Sequence, residues 1–223
     1  MGMRHSISLA VAWSAGLVGA AQATLIDRGN GLIYDNVLNI TWLQDANLAA
    51  TDTFGLGGID ANGRMTWNTA ESWIAAMDAA DYKGYNNWRL PTIAPVNGTN
   101  FVDTFSNNGT TDFGYGITSP NSELAYLYYV DLGNLGYCTP NAGGSNTCIQ
   151  PPISGLTNTG PFTSLAPYVY WSGTQDANNV SVFNMSEGAQ YPGVASSQYP
   201  LRRSISRTPE RESAFLWLFR WSA

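Results

Sequence analysis

Few residues in this chain could do chemistry, and the histidine count narrows them first. The only histidine is His5, and it lies inside an N-terminal stretch with the features of a removable leader. MGMRHS is a short basic start, ISLAVAWSAGLVGA an apolar run, and Ala21-Gln22-Ala23 a small-x-small cleavage pattern. Residues 1–23 are therefore expected to be a signal peptide, with Thr24 as the mature N-terminus of an exported protein. The apolar run is shorter than the about 20 residues a membrane anchor needs, and no later segment is long and apolar enough to span. Without histidine there is no Ser-His-Asp triad, no Cys-His pair, no His general base and no His-ligated zinc. Enzymatic chemistry would have to come from carboxylates.

Outside the last 22 residues the glutamates are Glu71, Glu123 and Glu187. A glycosidase-type pair needs one carboxyl raised in pKa as acid and another kept ionised. Glu71 and Glu123 fall on expected first helical turns, where dipole and capping roles account for them. Asp45, Asp176 and Glu187 fall in turns that could meet in a cleft. Calcium would need several clustered oxygen ligands. The chain has no EF-hand pattern, and the oxygen-rich TQDANN reads as a solvated hairpin turn, so no metal or cofactor is expected.

Binding needs different residues. Tyr115, Tyr137 and Tyr191 sit among Asn, Ser and Gly, the mixture that adaptable binding loops use. With Asp176, Asn178 and Asn179 of the TQDANN turn they form the candidate ligand-binding set. Cys138 and Cys148 lie in the Gly/Asn/Pro-rich GYCTPNAGGSNTCIQPP. In an exported chain this pair reads as a disulfide whose loop closure contributes roughly 2–3 kcal/mol. A redox or catalytic pair would want CxxC spacing and a neighbouring cation. Arg89, between Trp88 and Leu90, reads as a core arginine that needs a carboxylate partner. The tryptophans at 42, 67, 73 and 171 fall in phase with core faces.

The elements that must hold these residues can be read in outline. Leu32, Tyr34, Leu38, Ile40 and Trp42 alternate around a break at Asp35-Asn36, as in a β-hairpin. Trp67, Ala70, Ile74 and Met77 have helical spacing, with Asn68 and Glu71 as a capping box and Gly84 beyond the end. NNWRLPT reads as a short strand stopped by Pro91, and residues 94–118 as loop. Ser119 as N-cap and Pro120 at the first helical position open a second helix running to about Asp131. YVYWSG and NVSVFNMSEG form a strand pair across TQDAN. With 44% hydrophobic, 13% aromatic and only 12% charged residues in 223, the chain has the material for one packed domain, residues 24–201.

Charge is unevenly spread. Residues 24–201 hold four cations and fourteen acids, a net −10, whereas residues 202–223 hold five arginines and two acids, a net +3. A −10 domain disfavours nucleic acid and other polyanions as partners. The tail ends AFLWLFRW, with Phe215, Trp217, Phe219 and Trp221 alternating as in a terminal strand.

Several strings in order resemble one family: GLIYDNVLNITWLQDAN, MTW with its helix, GYNNWRLPT, NSELAYLYYVDLGN, GPFTSLAPYVYWSGT and VFNMSEGAQ. They resemble the bacterial Lcl C-terminal domain family, a domain of unknown function named for a collagen-like adhesin, over about residues 25–192. The resemblance implies an α+β, C-type-lectin-like fold: two helices, a small twisted antiparallel sheet and long loops. The Glu-Pro-Asn and Trp-Asn-Asp strings with which sugar-binding C-type lectins hold calcium are absent from the sequence. The family's closing strand has no match after Gly193, and residues 202–223 are expected to pack less well than the domain. Together these readings describe an exported, noncatalytic module, acting in the periplasm, envelope or outside the cell on a surface glycan or protein. The alternatives are a secreted carboxylate-dependent hydrolase and a structural envelope domain.

Overall fold

The computed structural model describes residues 24–140, 143–176 and 179–196 and the backbone of residues 219–221, with Asp176 by its backbone alone. Residues 1–23, where the signal peptide is expected, and most of the tail lie outside the described residues. The N-terminal alternation folds as expected. Strand β1 (Leu25–Asp27) pairs with β2 (Leu32–Asp35), and β2 pairs with β3 (Ile40–Leu43), all antiparallel. Strand β4 (Trp88–Arg89) is short because Pro91 follows it. Next come β5 (Phe105–Ser106), β6 (Phe113–Gly114), β7 (Val169–Asp176), β8 (Asn179–Asn184), β9 (Ala189–Val194) and β10 (Phe219–Trp221).

These strands make a mixed α+β architecture with two sheets, not one small antiparallel sheet. The first has the order β1-β2-β3-β10-β4 and the second β5-β6-β9-β8-β7. The second sheet is mixed, since β5 and β6 are parallel. Two-residue strands need no crossover helix, so residues 107–112 simply curl back and lay Phe113 beside Phe105. Gly114 permits this at φ 124°, where a Cβ would collide with the Ser106 carbonyl. The packing expected of residues 202–223 falls on side chains outside the described residues. The backbone of β10 sits antiparallel between β3 and β4, so a closing strand is present, beside ITWL.

Helix α1 (Trp67–Ala79) starts earlier than its expected cap. Thr66 has extended backbone and its hydroxyl accepts from the Thr69 N–H at 3.3 Å. Asn68 is already helical, and Glu71 lies beyond the first turn. Helix α2 opens as an α-helix over Glu123–Tyr126 and widens into a π turn over Leu127–Asp131. It begins later than Ser119-Pro120 suggests. The Ser119 hydroxyl accepts from the Asn121 N–H at 3.2 Å and its carbonyl from the Ser122 N–H at 3.1 Å, so Ser119 makes a turn ahead of the helix.

The β7–β8 hairpin separates two apolar clusters, because strand side chains alternate between faces. Val169, Trp171, Val180 and Val182 join Trp73 and Met77 of α1. Tyr170 and Phe183 face the other way and join Trp42, Leu124, Leu127 and Tyr128. Trp42, Trp73 and Trp171 are fully buried, and Trp67 donates its indole N–H to the Ser172 carbonyl at 2.9 Å. The tryptophans are core residues, as their phase predicts.

Arg89 has the carboxylate it requires. Its guanidinium forks onto Glu123 at 2.9 and 2.8 Å and also donates to the Leu90 carbonyl at 3.0 Å. Glu123 takes the Thr92 N–H at 2.6 Å as well, so it is an ion-pair residue beyond any dipole role. The same short segment reaches the second sheet. Pro91 accepts from the Gly173 N–H at 2.8 Å, and Ile93 exchanges two hydrogen bonds with the Thr174 hydroxyl.

Two more carboxyls meet inside the fold. Asp35, fully buried, accepts the Val37 and Leu38 N–H groups and turns the β2–β3 hairpin. Asp131, at the end of α2, has both oxygens shielded from solvent with no donor among the described residues. Burial first, then the charge of Asp35, push the Asp131 carboxyl up to about 8. The phenol of Tyr126 is raised by its own burial and by both acids. Burial and the neighbouring Asp35 thus both favour the protonated form of Asp131.

Two outcomes follow for stability. Arg89→Met strands the Glu123 carboxylate and is expected to cost roughly 3 kcal/mol, read as a lowered urea midpoint. A cost below about 0.5 kcal/mol would mean the pair is incidental. For Asp131 the folded pKa lies above the ordinary 3.8, so the folded chain holds a proton that the unfolded chain releases. Its contribution is full below about pH 4 and is lost as pH rises toward 8, by at most about 1.4 kcal/mol per pH unit. Asp131→Asn should flatten that part of the slope and raise the thermal midpoint at pH 8.

Candidate functional site

The candidate site is built on a loop held by a buried carboxylate. Asp112, 1% exposed, accepts the Val96 N–H at 2.7 Å and the Val102 N–H at 2.6 Å, gathering residues 96–112. The Gln190 amide, buried in β9, donates to the Asp112 carbonyl at 2.7 Å and accepts from the Ser122 hydroxyl. That tether ties the loop to both the second sheet and the start of α2. On its other side the loop is propped by the cysteine loop. Cys138 and Cys148 form the expected disulfide, with Cα atoms 4.8 Å apart, inside the 4.4–6.8 Å such bridges require. Asn107 bonds to Asn146 through both its backbone N–H and its amide, and Asn108 donates to the Gly144 carbonyl at 2.9 Å.

The propped loop displays aromatic rings. Phe105 packs edge-on against Tyr115 at 5.6 Å, and Tyr115 lies 6.3 Å from Tyr137. Phe105 is 49% and Tyr137 43% exposed, unusual for such large apolar surfaces in one place. Tyr137 is anchored by its N–H to the Glu187 carbonyl at 2.7 Å, and the Glu187 carboxylate receives the Tyr115 hydroxyl at 3.4 Å. On the other side of Phe105 opens a cleft of about 350 Å³, lined by Asp103, Phe105, Phe113, Asn179, Ser181 and Pro192. Its floor follows from strand alternation. The face of β8 that buries Phe183 beneath α2 continues outward as Ser181 and Asn179, with Pro192 of β9 paired opposite Ser181.

Three candidate residues therefore come together: Tyr115 and Tyr137 on the aromatic ledge, Asn179 on the cleft. Tyr191 does not join them. It pairs opposite Val182 in β9 and packs partly buried against the α1-side cluster, so alternation turns its ring away from the ledge. Asp176 pairs by backbone with Asn179, whereas its side chain and all of Asn178 lie outside the described residues. Sequence reasoning missed Phe105, Phe113 and Asp103. Phenylalanines recurring through an Asn/Thr/Gly-rich stretch, FVDTFSNNGTTDFGYG, were the available signal.

Among the described side chains, the candidate carboxylates do not gather on this cleft; that of Asp176 lies outside them. Glu71 is exposed on α1, Glu123 is held by Arg89 and Glu187 by Tyr115. Asp45 lines a different cleft. Asp35 and Asp131 do approach each other, but Asp35 is fully buried and both Asp131 oxygens are shielded from solvent. No group of three or more His, Cys, Asp or Glu side chains among the described residues could hold a metal ion. No helix there is long and apolar enough to cross a membrane.

No curated protein and no solved structure matches this chain. The family model of the Lcl C-terminal domain matches residues 31–203, running past residue 192 to the start of the arginine-rich tail. The match covers the first hairpin, Arg89 and its carboxylate partner, the cysteine loop and the whole ledge, and the chain belongs to the Lcl C-terminal domain family.

Proposed function

We propose that this chain is an exported, noncatalytic binding module whose ligand is a surface glycan, taken up on the Phe105 ledge and its adjoining cleft. The observation that carries the reading is a row of partly exposed rings, Phe105, Tyr115 and Tyr137, continuous with a cleft edged by Asp103, Asn179 and Ser181. Ring faces suit the apolar C–H faces of sugars, and a few carboxylate, amide and hydroxyl groups then orient the hydroxyls. A protein ligand would use the same rings, but the cleft's size and polar edge favour a sugar. The lectin-like reading of the fold rests on its two helices and long ordered loops. Export rests on the leader-like start, and the noncatalytic reading on the dispersal of the carboxylates. Asp103 and Glu187 flank the rings, so the ligand should be a neutral or amino sugar rather than a sulfated one.

Binding of the mature chain to an immobilised glycan panel, followed by calorimetric titration of the best ligand, tests this directly. Phe105→Ala and Tyr137→Ala should each weaken binding about tenfold, the worth of one aromatic contact. Both sites are exposed, so the thermal midpoint should hardly move. Undiminished binding by both variants would contradict the ledge. Release of glycan fragments, abolished by Glu187→Gln while binding persists, would make the protein a hydrolase.

A further inference from the structure

A second cleft, of about 240 Å³, is built from other elements: the β1–β2 turn at Gly31, the end of β3 with the following Gln44 and Asp45, and the turn carrying Tyr82 and Lys83. Lys83 is the only lysine in the sequence. Its placement needs an unusual backbone, because Asp81 and Lys83 both adopt left-handed φ values of 47° and 56° just after α1. Such conformations are costly for non-glycine residues and persist where the surroundings enforce them. They bring the ammonium 5.1 Å from the centre of the Tyr82 ring and up against Gly31. A Cβ at Gly31 would lie 3.2 Å from the Lys83 nitrogen, so glycine there leaves the head group its space.

The walls are fixed before any ligand arrives. Gln44 donates its backbone N–H to Gly31 at 2.9 Å and its amide to the Pro161 carbonyl at 3.0 Å. Thr163 bridges Gln44 and Ala46 through backbone bonds of 2.8 and 2.9 Å. The Tyr82 ring is wedged edge-on against Phe54 at 5.4 Å and tilted against Trp88 at 6.4 Å. Asp45 uses one oxygen to accept the Asn47 N–H at 3.0 Å. No carboxylate among the described residues stands within 4 Å of Lys83. Cation and anion thus line one small cleft without pairing, with Leu43 and Leu48 supplying an apolar wall.

We propose that this cleft binds a small zwitterion of the α-amino acid type, its carboxylate toward Lys83 and its ammonium toward Asp45. The volume is below the roughly 300–1,000 Å³ of sites for larger ligands. A lone anion would leave Asp45 unanswered beside it, and a lone cation would face Lys83. A zwitterion meets both charges at once, and an aliphatic side chain would rest on the two leucines.

Calorimetric titration of the mature chain with L-valine tests the proposal, with isobutylamine and isovalerate as the same skeleton lacking the carboxyl or the amine. L-Valine should bind at millimolar concentrations or tighter, and each half-ligand at least tenfold more weakly. Lys83→Asn keeps a residue tolerant of left-handed backbone, and Asp45→Asn keeps the acceptor for Asn47. Each should weaken L-valine at least tenfold with the thermal midpoint unchanged, while Phe105→Ala should bind L-valine as the wild type does. The proposal is overturned if neither L-valine nor glycine, L-alanine or L-leucine binds, if isovalerate or isobutylamine binds equally well, or if binding survives Lys83→Asn.

Discussion

The forked contact between Arg89 and Glu123 is the constraint on which the rest of this fold depends. A guanidinium in a two-residue strand and a carboxylate on the first turn of α2 are held at 2.8 and 2.9 Å. Between them lies a segment that also bonds to Gly173 and Thr174 of β7. Residues 89–94 therefore join the first sheet, the second sheet and α2 at one point. A partly buried charge pair offers little net stability over a hydrophobic replacement, yet removing one member leaves the other stranded. Its worth here is geometric: it fixes the first sheet, the second sheet and the start of α2 at one junction.

From that junction the molecule is ordered outward by buried polar side chains as much as by its apolar clusters. Asp112 gathers the loop of residues 96–112, and Gln190 ties it to β9 and α2. Asn134, 1% exposed, accepts from the Thr157 and Asn158 N–H groups and donates to the Asn158 carbonyl, ordering the stretch before β7. Each such group replaces several backbone hydrogen bonds that a sheet or helix would have made. A chain with short strands can thereby present long loops that are nonetheless fixed. Preformed loops lose less conformational entropy on binding, which favours affinity from few contacts.

Periodic features were legible in the sequence. The first hairpin, the body of α1, the β7–β8 pair, the need of Arg89 for a carboxylate and the cysteine bridge all rest on local pattern or on a rule about burial. Helix starts were less legible, because Thr66, Asn68, Ser119 and Ser122 are all competent caps. The choice between them is made by tertiary contacts, such as the bond from Ser122 to Gln190. The site was half legible. Tyr115 and Tyr137 carry a local signature of aromatic rings among small polar residues. Tyr191 carries the same signature but is claimed by strand alternation, and Phe105 joins the ledge only because residues 107–112 curl back. The meeting of Asp35 with Asp131 links residues far apart in the chain and had no sequence signal.

The central claim is that ligands are held on the Phe105 ledge and left intact. Nuclear magnetic resonance of the isotope-labelled chain from Thr24 onward, titrated with a neutral glycan that it binds, reads both halves of that claim in one sample. The account predicts saturable shifts in the ring signals of Phe105, Phe113, Tyr115 and Tyr137, with the glycan's own anomeric signals unchanged over days. Silent ledge signals with shifts elsewhere, or new anomeric signals from a broken glycosidic bond, would contradict it.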